Sequence, residues 1–216
     1  MIDTEKPSPK ERIFNAAVTL FALKGYTAVG VREIAETGEV NISMISYYFS
    51  GKIGILKAIF ERFYKEYLEV LRDAINPELP VNEQTRNLVR NIVCFMRSRP
   101  DLCKIGITEI PYDAPEIAKF KSERVLPVKE LIFDCFFRNS GLIIDDKITI
   151  SIVSPSLISV IYSHFLLGDV IKKVMDIEFD DAYYERYVDT ITTFLIAGIL
   201  GVVAELQNKK TGEING

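Results

Sequence analysis

GVREIAETGEVNISMISYYFSGKIGILK, residues 30 to 57, is the stretch from which the rest of the chain can be read. Val31, Ile34 and Ala35 form one short apolar stripe at helical spacing, and Val40, Ile45 and Phe49 form another. Gly38-Glu39 between them marks a tight turn, where Gly38 lets the chain reverse sharply and Ala35 is small enough for two backbones to approach. Asn41 is placed to cap the second of these helices by accepting a backbone N–H. Ile42, Ser43, Met44, Ser46 and Tyr47 are then left to project largely away from the core. A third helix is predicted after Ser50. Such a unit cannot bury its own apolar face, and neighbouring chain has to complete its core.

Upstream, Ser8-Pro9-Lys10-Glu11 combines an N-cap serine, proline at the first helical position and glutamate three residues after the cap. Ile13, Ala16, Ala17, Leu20 and Phe21 follow at helical spacing, and Gly25 closes the helix. Packed across the next two, this helix makes a three-helix head. A helix that presents short polar groups and an aromatic hydroxyl outward suits a major groove, whose base edges and phosphates offer donors and acceptors. The same residues also describe an ordinary solvated surface.

The bulk numbers bound the remaining possibilities. A chain of 216 residues, 48% of them hydrophobic, has material for one large or two small packed domains. Net charge is -4, which argues against a nucleic-acid partner only when the chain is taken whole. Residues 1 to 60 hold seven Lys and Arg against six Asp and Glu; the remainder holds 19 against 24. The acidic excess lies outside the head, and phosphate contact needs only a locally basic surface. Cys94, Cys103 and Cys135 form no CxxC pair, and the odd count favours reduced thiols. The longest nearly unbroken apolar run, Phe194 to Ala204, is eleven residues, against roughly 20 needed to span a bilayer. No membrane span is therefore expected. MIDTEKPSPKERI lacks the apolar core of a secretory signal, and a cytoplasmic location is the expectation.

From Ser50-Gly51 a long helix carries Leu56, Ile59, Phe60, Phe63, Tyr67 and Leu71 and ends before Pro77. Further helices follow: Leu88, Ile92, Phe95 and Met96 up to Pro100, a short piece from Asp101, and a stretch from Asp113-Glu116 with Pro127 inside it, where a kink is expected. Leu142-Ile143-Ile144 and Ile148-Thr149-Ile150 are rich in β-branched residues but, with no partner strand anywhere, read as the entry to a helix. The last two helices, about 146 to 168 and 181 to 207, are apolar over more than one stripe. A helix apolar on two sides needs two partners, its own core and a twofold-related copy. The candidate interface is Ile158, Tyr162 and Phe165 with Ile191, Phe194, Leu195, Gly198 and Val202, in a four-helix arrangement. A core helix of a monomer is the alternative. Together these readings predict an all-α fold: an N-terminal helix-turn-helix domain over residues 1–52 and a helical dimerisation domain over 53–216, which the resemblance described next implies is also ligand-binding.

The run from Lys10 to Leu56, through KERIFNAAVTLFALKGY, VREIA and ISYYFSGKIGIL, resembles the N-terminal domain of the tetracycline-repressor (TetR/AcrR) family of transcriptional regulators. Tyr47-Tyr48-Phe49 followed by Lys52 is the most specific part. The resemblance implies that Phe49 packs in the core, that Tyr47, Tyr48 and Lys52 reach DNA phosphates or nearby base edges, and that Ile42, Ser43 and Met44 enter the groove. Arg32, Asn41 and Ser46 complete the implied DNA-binding set. The chain departs from the family at two positions. Glu39 stands where glycine is usual in the turn, and Gly30 stands where Thr or Ser commonly supplies a phosphate-contacting hydroxyl.

No phosphate-cradling glycine loop, GxSxG or HExxH is present, and one histidine, His164, cannot build a multi-histidine metal site. Asp145-Asp146 and Asp180-Asp181 fall where helices begin, and capping explains them. No enzyme, metal or cofactor is expected. The resemblance implies a small-molecule pocket in the second domain. Phe95, Cys103, Tyr112, Phe120, Phe133, Tyr162 and His164 are candidate lining for an uncharged or amphipathic effector, each of them also acceptable as plain core. The expected partners are double-stranded operator DNA, a small-molecule effector and a second copy of the chain, with repression as the family-level outcome. The rival reading is an all-helical small-molecule carrier or helical enzyme whose N-terminal helices only close a pocket.

Overall fold

The computed structural model describes residues 7–110, 114–133 and 147–214, with helical backbone only at 133 and 207–214. The described residues are all-α: α1 Pro9–Lys24, α2 Val31–Thr37, α3 Ser43–Phe49, α4 Lys52–Ala74, α5 Val81–Ser98, α6 Pro100–Thr108, α7 Pro115–Phe133, α8 Lys147–Met175 and α9 Asp181–Ile214. No strand occurs among them, and Ile148-Thr149-Ile150 lies in the first turn of α8. Leu142 to Ile144 fall outside the described residues, as do Asp113, Asp145 and Asp146.

Two compact units emerge, and each is built by local rules before tertiary ones. Residues 1–67 with 99–126 form the first. Its α1 starts as the sequence predicts: the Ser8 side chain accepts from the Glu11 N–H, Glu11 answers the Ser8 N–H at 2.9 Å, and Gly25 at φ 80 ends the helix. The Ser8 backbone bond, followed by the Ser8 hydroxyl, holds the Glu11 carboxyl below its ordinary range. Ile13, Ala16, Ala17, Leu20 and Phe21 face inward and meet α2, α3 and α6. In α4, Ile55, Leu56, Ile59 and Phe60 are fully buried, and Phe63 stacks on Tyr67 with centroids 5.5 Å apart. Gly106 of α6 lies against the Phe63 ring so closely that a Cβ would overlap it. Lys104 donates to the Ala22 carbonyl at 2.6 Å. This grouping takes in α6 and the start of α7, whereas the division at 52/53 follows the helix-turn-helix alone.

The second unit holds residues 68–98 and 127–216. α5 packs along α9, with Leu88, Val89, Ile92, Val93, Phe95 and Met96 turned in from one side and Val188, Leu195, Ile199 and Val203 from the other. Ion pairs flank that seam: Arg86 with Asp189 at 2.6 Å, Arg90 with Glu185 at 3.0 Å and Arg97 with Asp181 at 2.9 Å. Asp180 caps α9 by accepting the Tyr183 N–H at 2.8 Å.

α8 departs from the sequence-based reading in length and surface. It continues through Pro155 to Met175 rather than ending near 168. Ile161 and His164 are its buried residues, while Ile148, Ile152, Leu166, Leu167, Val170, Val174 and Met175 are exposed. By length and composition alone, α8 and residues 181–206 of α9 are long and apolar enough to cross a membrane, although no unbroken apolar run in the sequence reaches that length. Serines interrupt those runs without making the helix polar outside. Ser151, Ser156 and Ser159 turn their hydroxyls onto the carbonyls of Ile148, Ile152 and Pro155.

Candidate nucleic-acid interface

The geometry of the head is set at the turn between α2 and α3. Gly38 is not the residue that reverses the chain: its φ is -81, in the right-handed region. Its role is close approach, since a Cβ would stand 3.3 Å from the Arg12 carbonyl oxygen of α1 and 3.2 Å from that of Ile34. The left-handed residue is Glu39, at φ 51. Arg12 secures it from α1 by donating to the Glu39 carbonyl at 3.0 Å. Val40 then donates to the Ala35 carbonyl at 3.0 Å, which closes the turn.

Asn41 stands one residue before Ile42, which is the N-cap of α3 and makes no side-chain cap bond, so the expected cap is displaced by one position. The Asn41 Oδ1 accepts the Ser43 N–H at 2.9 Å and the Ser43 hydroxyl at 2.7 Å. Ile45 and Phe49 point into the core and fix which side of α3 faces out. Asn41, Ile42, Ser43, Ser46, Tyr47 and Tyr48 are exposed, as is Arg32 on α2. Tyr47 is 81% exposed and its ring stands edge-on to Tyr48, 4.9 Å between centroids. Met44 is half-buried and so projects less than the sequence suggests. Ser43 spends its hydroxyl proton on the cap, which leaves its oxygen as the acceptor it can offer.

Ser50 at φ 58 and Gly51 at φ 100 turn the chain sharply into α4, and Lys52 leaves at the first position of that helix. Its ammonium lies over the Tyr26 ring, 4.1 Å from the centroid, and 3.4 Å from the Thr27 carbonyl. Tyr26 and Thr27 belong to the loop between α1 and α2. Sequence periodicity did not single out either one, nor the reach of Arg12, because these contacts cross between elements.

The candidate effector residues divide between the units. Cys103 and Phe120 belong to the first, Phe95, Tyr162 and His164 to the second. Tyr112 and the Phe133 side chain lie outside the described residues. Burial pushes the Cys103 thiol up to about 12, with Glu66 adding to it and Arg99 opposing, so this thiol is poorly nucleophilic at neutral pH. Phe120 carries the Arg124 guanidinium on its face, and Arg124 also pairs with Glu61. His164 is 7% exposed inside a shell of Phe165, Phe179, Tyr183, Tyr184 and Tyr187. Its Nδ1 is 3.5 Å from the Tyr183 hydroxyl, its Nε2 has no partner, and burial lowers its pKa. Among the described residues no group of three His, Cys, Asp or Glu could hold a metal ion.

Of the candidate interface residues, Phe194 and Gly198 are exposed, while Ile158, Tyr162, Phe165, Ile191 and Val202 are half-buried. Leu195 is 4% exposed within one protomer. It faces the protomer's own core, on the side of α9 that meets α5, and is corrected here from an interface to a core position.

A short helix held by α1 through a four-point turn, with hydroxyls and a phenol on its outer side and a lysine beside it, defines a helix-turn-helix head. Residues 13–59 match the family profile described as "Bacterial regulatory proteins, tetR family". The "Probable HTH-type transcriptional regulator YttP" of Bacillus subtilis is 32% identical over 126 residues, covering 57% of this chain and 61% of its own. The "HTH-type transcriptional repressor NicS" of Pseudomonas putida is 27% identical over 121 residues, covering 54% and 55%. The match thus spans little more than half the length of these curated relatives. The solved fatty acid degradation regulator FadR from Bacillus halodurans shares the fold, with a TM-score of 0.68 over 90% of this chain and 98% of that one at 18% identity. Residues 13–59 thus carry a tetR-family domain, and the chain is similar to these regulators.

Proposed function

We propose that the protein is a homodimeric transcriptional regulator whose residues 1–52 read operator DNA and whose residues 53–216 bind a small-molecule effector and a second copy. One observation carries the reading most: Ser46, Tyr47 and Tyr48 are presented on the outside of α3 by the inward packing of Ile45 and Phe49, with Lys52 beside them. In this reading α3 enters a major groove, Ile42, Ser43 and Met44 meet base edges, and Arg32, Asn41, Tyr47, Tyr48 and Lys52 serve phosphates or nearby edges. Two heads bind half-sites about 34 Å apart. The apolar outer faces of α8 and α9 supply the twofold contact, which also accounts for surface that composition alone would send to a membrane. The protein then works in the cytoplasm.

The regulator is a repressor that an uncharged or amphipathic effector releases, by binding preferentially to a state with wrongly spaced heads. NicS is named a repressor and FasR of Mycolicibacterium smegmatis an activator, so the sign rests on the family-level expectation. The test is titration of the protein onto its own upstream promoter fragment across a salt series. Lys52→Ala should weaken binding to every duplex and flatten the salt slope by about two ions, one for each protomer. Unchanged affinity and slope would remove Lys52 from the interface, and failure of the unaltered protein to bind at low salt would favour a helical carrier instead.

A further inference from the structure

The groove end of α3 has little of its own to hold it. Gly38 is buried and Ile45 is the next buried residue along the chain, so none of the side chains from Glu39 to Met44 anchors that stretch in the core. This stretch carries Ile42, Ser43 and Met44, assigned above to base edges. Its direction is set where the chain enters it, at Glu39, whose φ of 51 is the left-handed step of the turn. A swing of about 5° there displaces the Ser43 end by about 1 Å over a reach of roughly 10 Å, and recognition contacts tolerate only about 0.5 Å.

Arg12 of α1 meets the turn twice. Its main-chain carbonyl lies beneath Gly38, where a Cβ would stand 3.3 Å away, and its Nη1 donates to the Glu39 carbonyl at 3.0 Å. The Glu39 carboxylate is a looser partner, 3.9 Å from the same nitrogen and 79% exposed. Solvent screens a pair of that kind, which leaves the main-chain bond as the tighter tether. The Arg12 Nε is buried and has no hydrogen-bond partner. An arginine free to move would bring that donor to water, so the side chain is seated along the head with few rotamers left to its planar fork. The Glu39 carbonyl cannot rotate away without breaking a charge-assisted bond.

Resting on the DNA-binding reading above, we propose that Arg12 is a positioning residue: it fixes the Glu39 carbonyl and so aims the groove end of α3, without touching DNA itself. Its loss lowers sequence discrimination rather than general affinity.

The probes are a duplex that the unaltered protein selects from a randomised pool and a mixed-sequence duplex of the same length. Arg12→Met keeps the stem and removes the donors. It should lower the ratio of selected to mixed affinity about 3- to 10-fold, while affinity for the mixed duplex and the salt slope stay as they were. Equal loss on both duplexes with a flatter slope makes Arg12 a phosphate contact and overturns the proposal. Glu39→Gln keeps the carbonyl and removes the carboxylate, and should leave the ratio unchanged; a fall matching that of Arg12→Met assigns the effect to the ion pair and overturns it too. Hydrogen exchange reads the same tether without DNA. In Arg12→Met the Val40 amide, bonded to the Ala35 carbonyl, should exchange about 3- to 10-fold faster while the Ala17 amide within α1 keeps its protection. Unchanged exchange at Val40 overturns the tether. The unaltered protein guards against a variant that does not fold: its buried Arg12 Nε proton should persist at neutral pH, and loss at the rate of a free arginine overturns the proposal by itself. If the unaltered protein selects no duplex, the DNA-binding reading falls and this one with it; selection with a ratio that Arg12→Met leaves intact sinks only the role of Arg12.

Discussion

Glu39 is an acid in a backbone conformation that L side chains avoid, and it sits in the turn of a helix-turn-helix. Its left-handed φ costs about 1 kcal/mol relative to glycine, partly offset by the extra freedom that glycine gives the unfolded chain. Glu39→Gly should therefore raise the melting temperature by a few degrees. It should also tighten duplex binding at low salt, since a carboxylate leaves the vicinity of phosphates, with the gain fading as salt rises. Thermal melts and a salt series measure both. Lys121 is a different case, a cation 7% exposed that donates to the carbonyls of Ile107 and Glu109 at 3.2 and 3.1 Å, at the end of α6. Burial lowers its pKa from 10.5 to about 8, with Glu109 opposing. Below pH 8 both folded and unfolded chains carry the proton, and the cost of burying the charge is felt in full. As pH rises through 8 the folded chain releases the proton while the unfolded chain keeps it until near 10.5, so this group's contribution to stability grows over that window. Lys121→Met should flatten the rise in denaturant midpoints between pH 7 and about pH 10 relative to the unaltered protein.

The elements show where local chemistry suffices. Ser8, Pro9 and Glu11 place the start of α1, Gly25 its end and Asp180 the start of α9, and each was legible because a cap is decided within four residues. Pro127 was read inside a helix and Pro155 falls within the one expected at about 146 to 168, and α7 and α8 do pass through them. A proline removes one donor, and packing on either side is enough to carry a long helix past it. Gly38 was read correctly as a requirement but for the wrong reason, because the space it leaves belongs to Arg12 on α1. Gly106 was not noticed at all. Its neighbour Phe63 lies on α4, far away in sequence, and only the packed unit brings the two together. Gly106→Ala should improve helix propensity by about 1 kcal/mol yet lower net stability by about 1 to 3 kcal/mol, since the methyl must displace a ring stacked on Tyr67. A melting temperature equal to or above that of the unaltered protein would mean the aromatic stack can yield.

For the whole molecule the open quantity is association. Phe194 is 60% exposed on α9, amid an apolar surface that one protomer leaves uncovered. Phe194→Arg should convert a dimer in sedimentation to the 24.5 kDa protomer and weaken operator binding with it, because two linked heads bind far better than two separate ones. If the unaltered protein already sediments as the protomer at micromolar concentration, the twofold reading fails. By itself the sequence determined the helical class, the three-helix head and the ends of several helices, since these depend on dihedral preferences, caps and periodicity acting over one or two turns. Tertiary structure alone decided which side of α9 is inside, that Leu195 belongs to the core, that α6 joins the head's unit and that Tyr26 carries Lys52. Those outcomes depend on which distant surfaces meet, and apolar periodicity reports that a face is buried without naming the face that covers it.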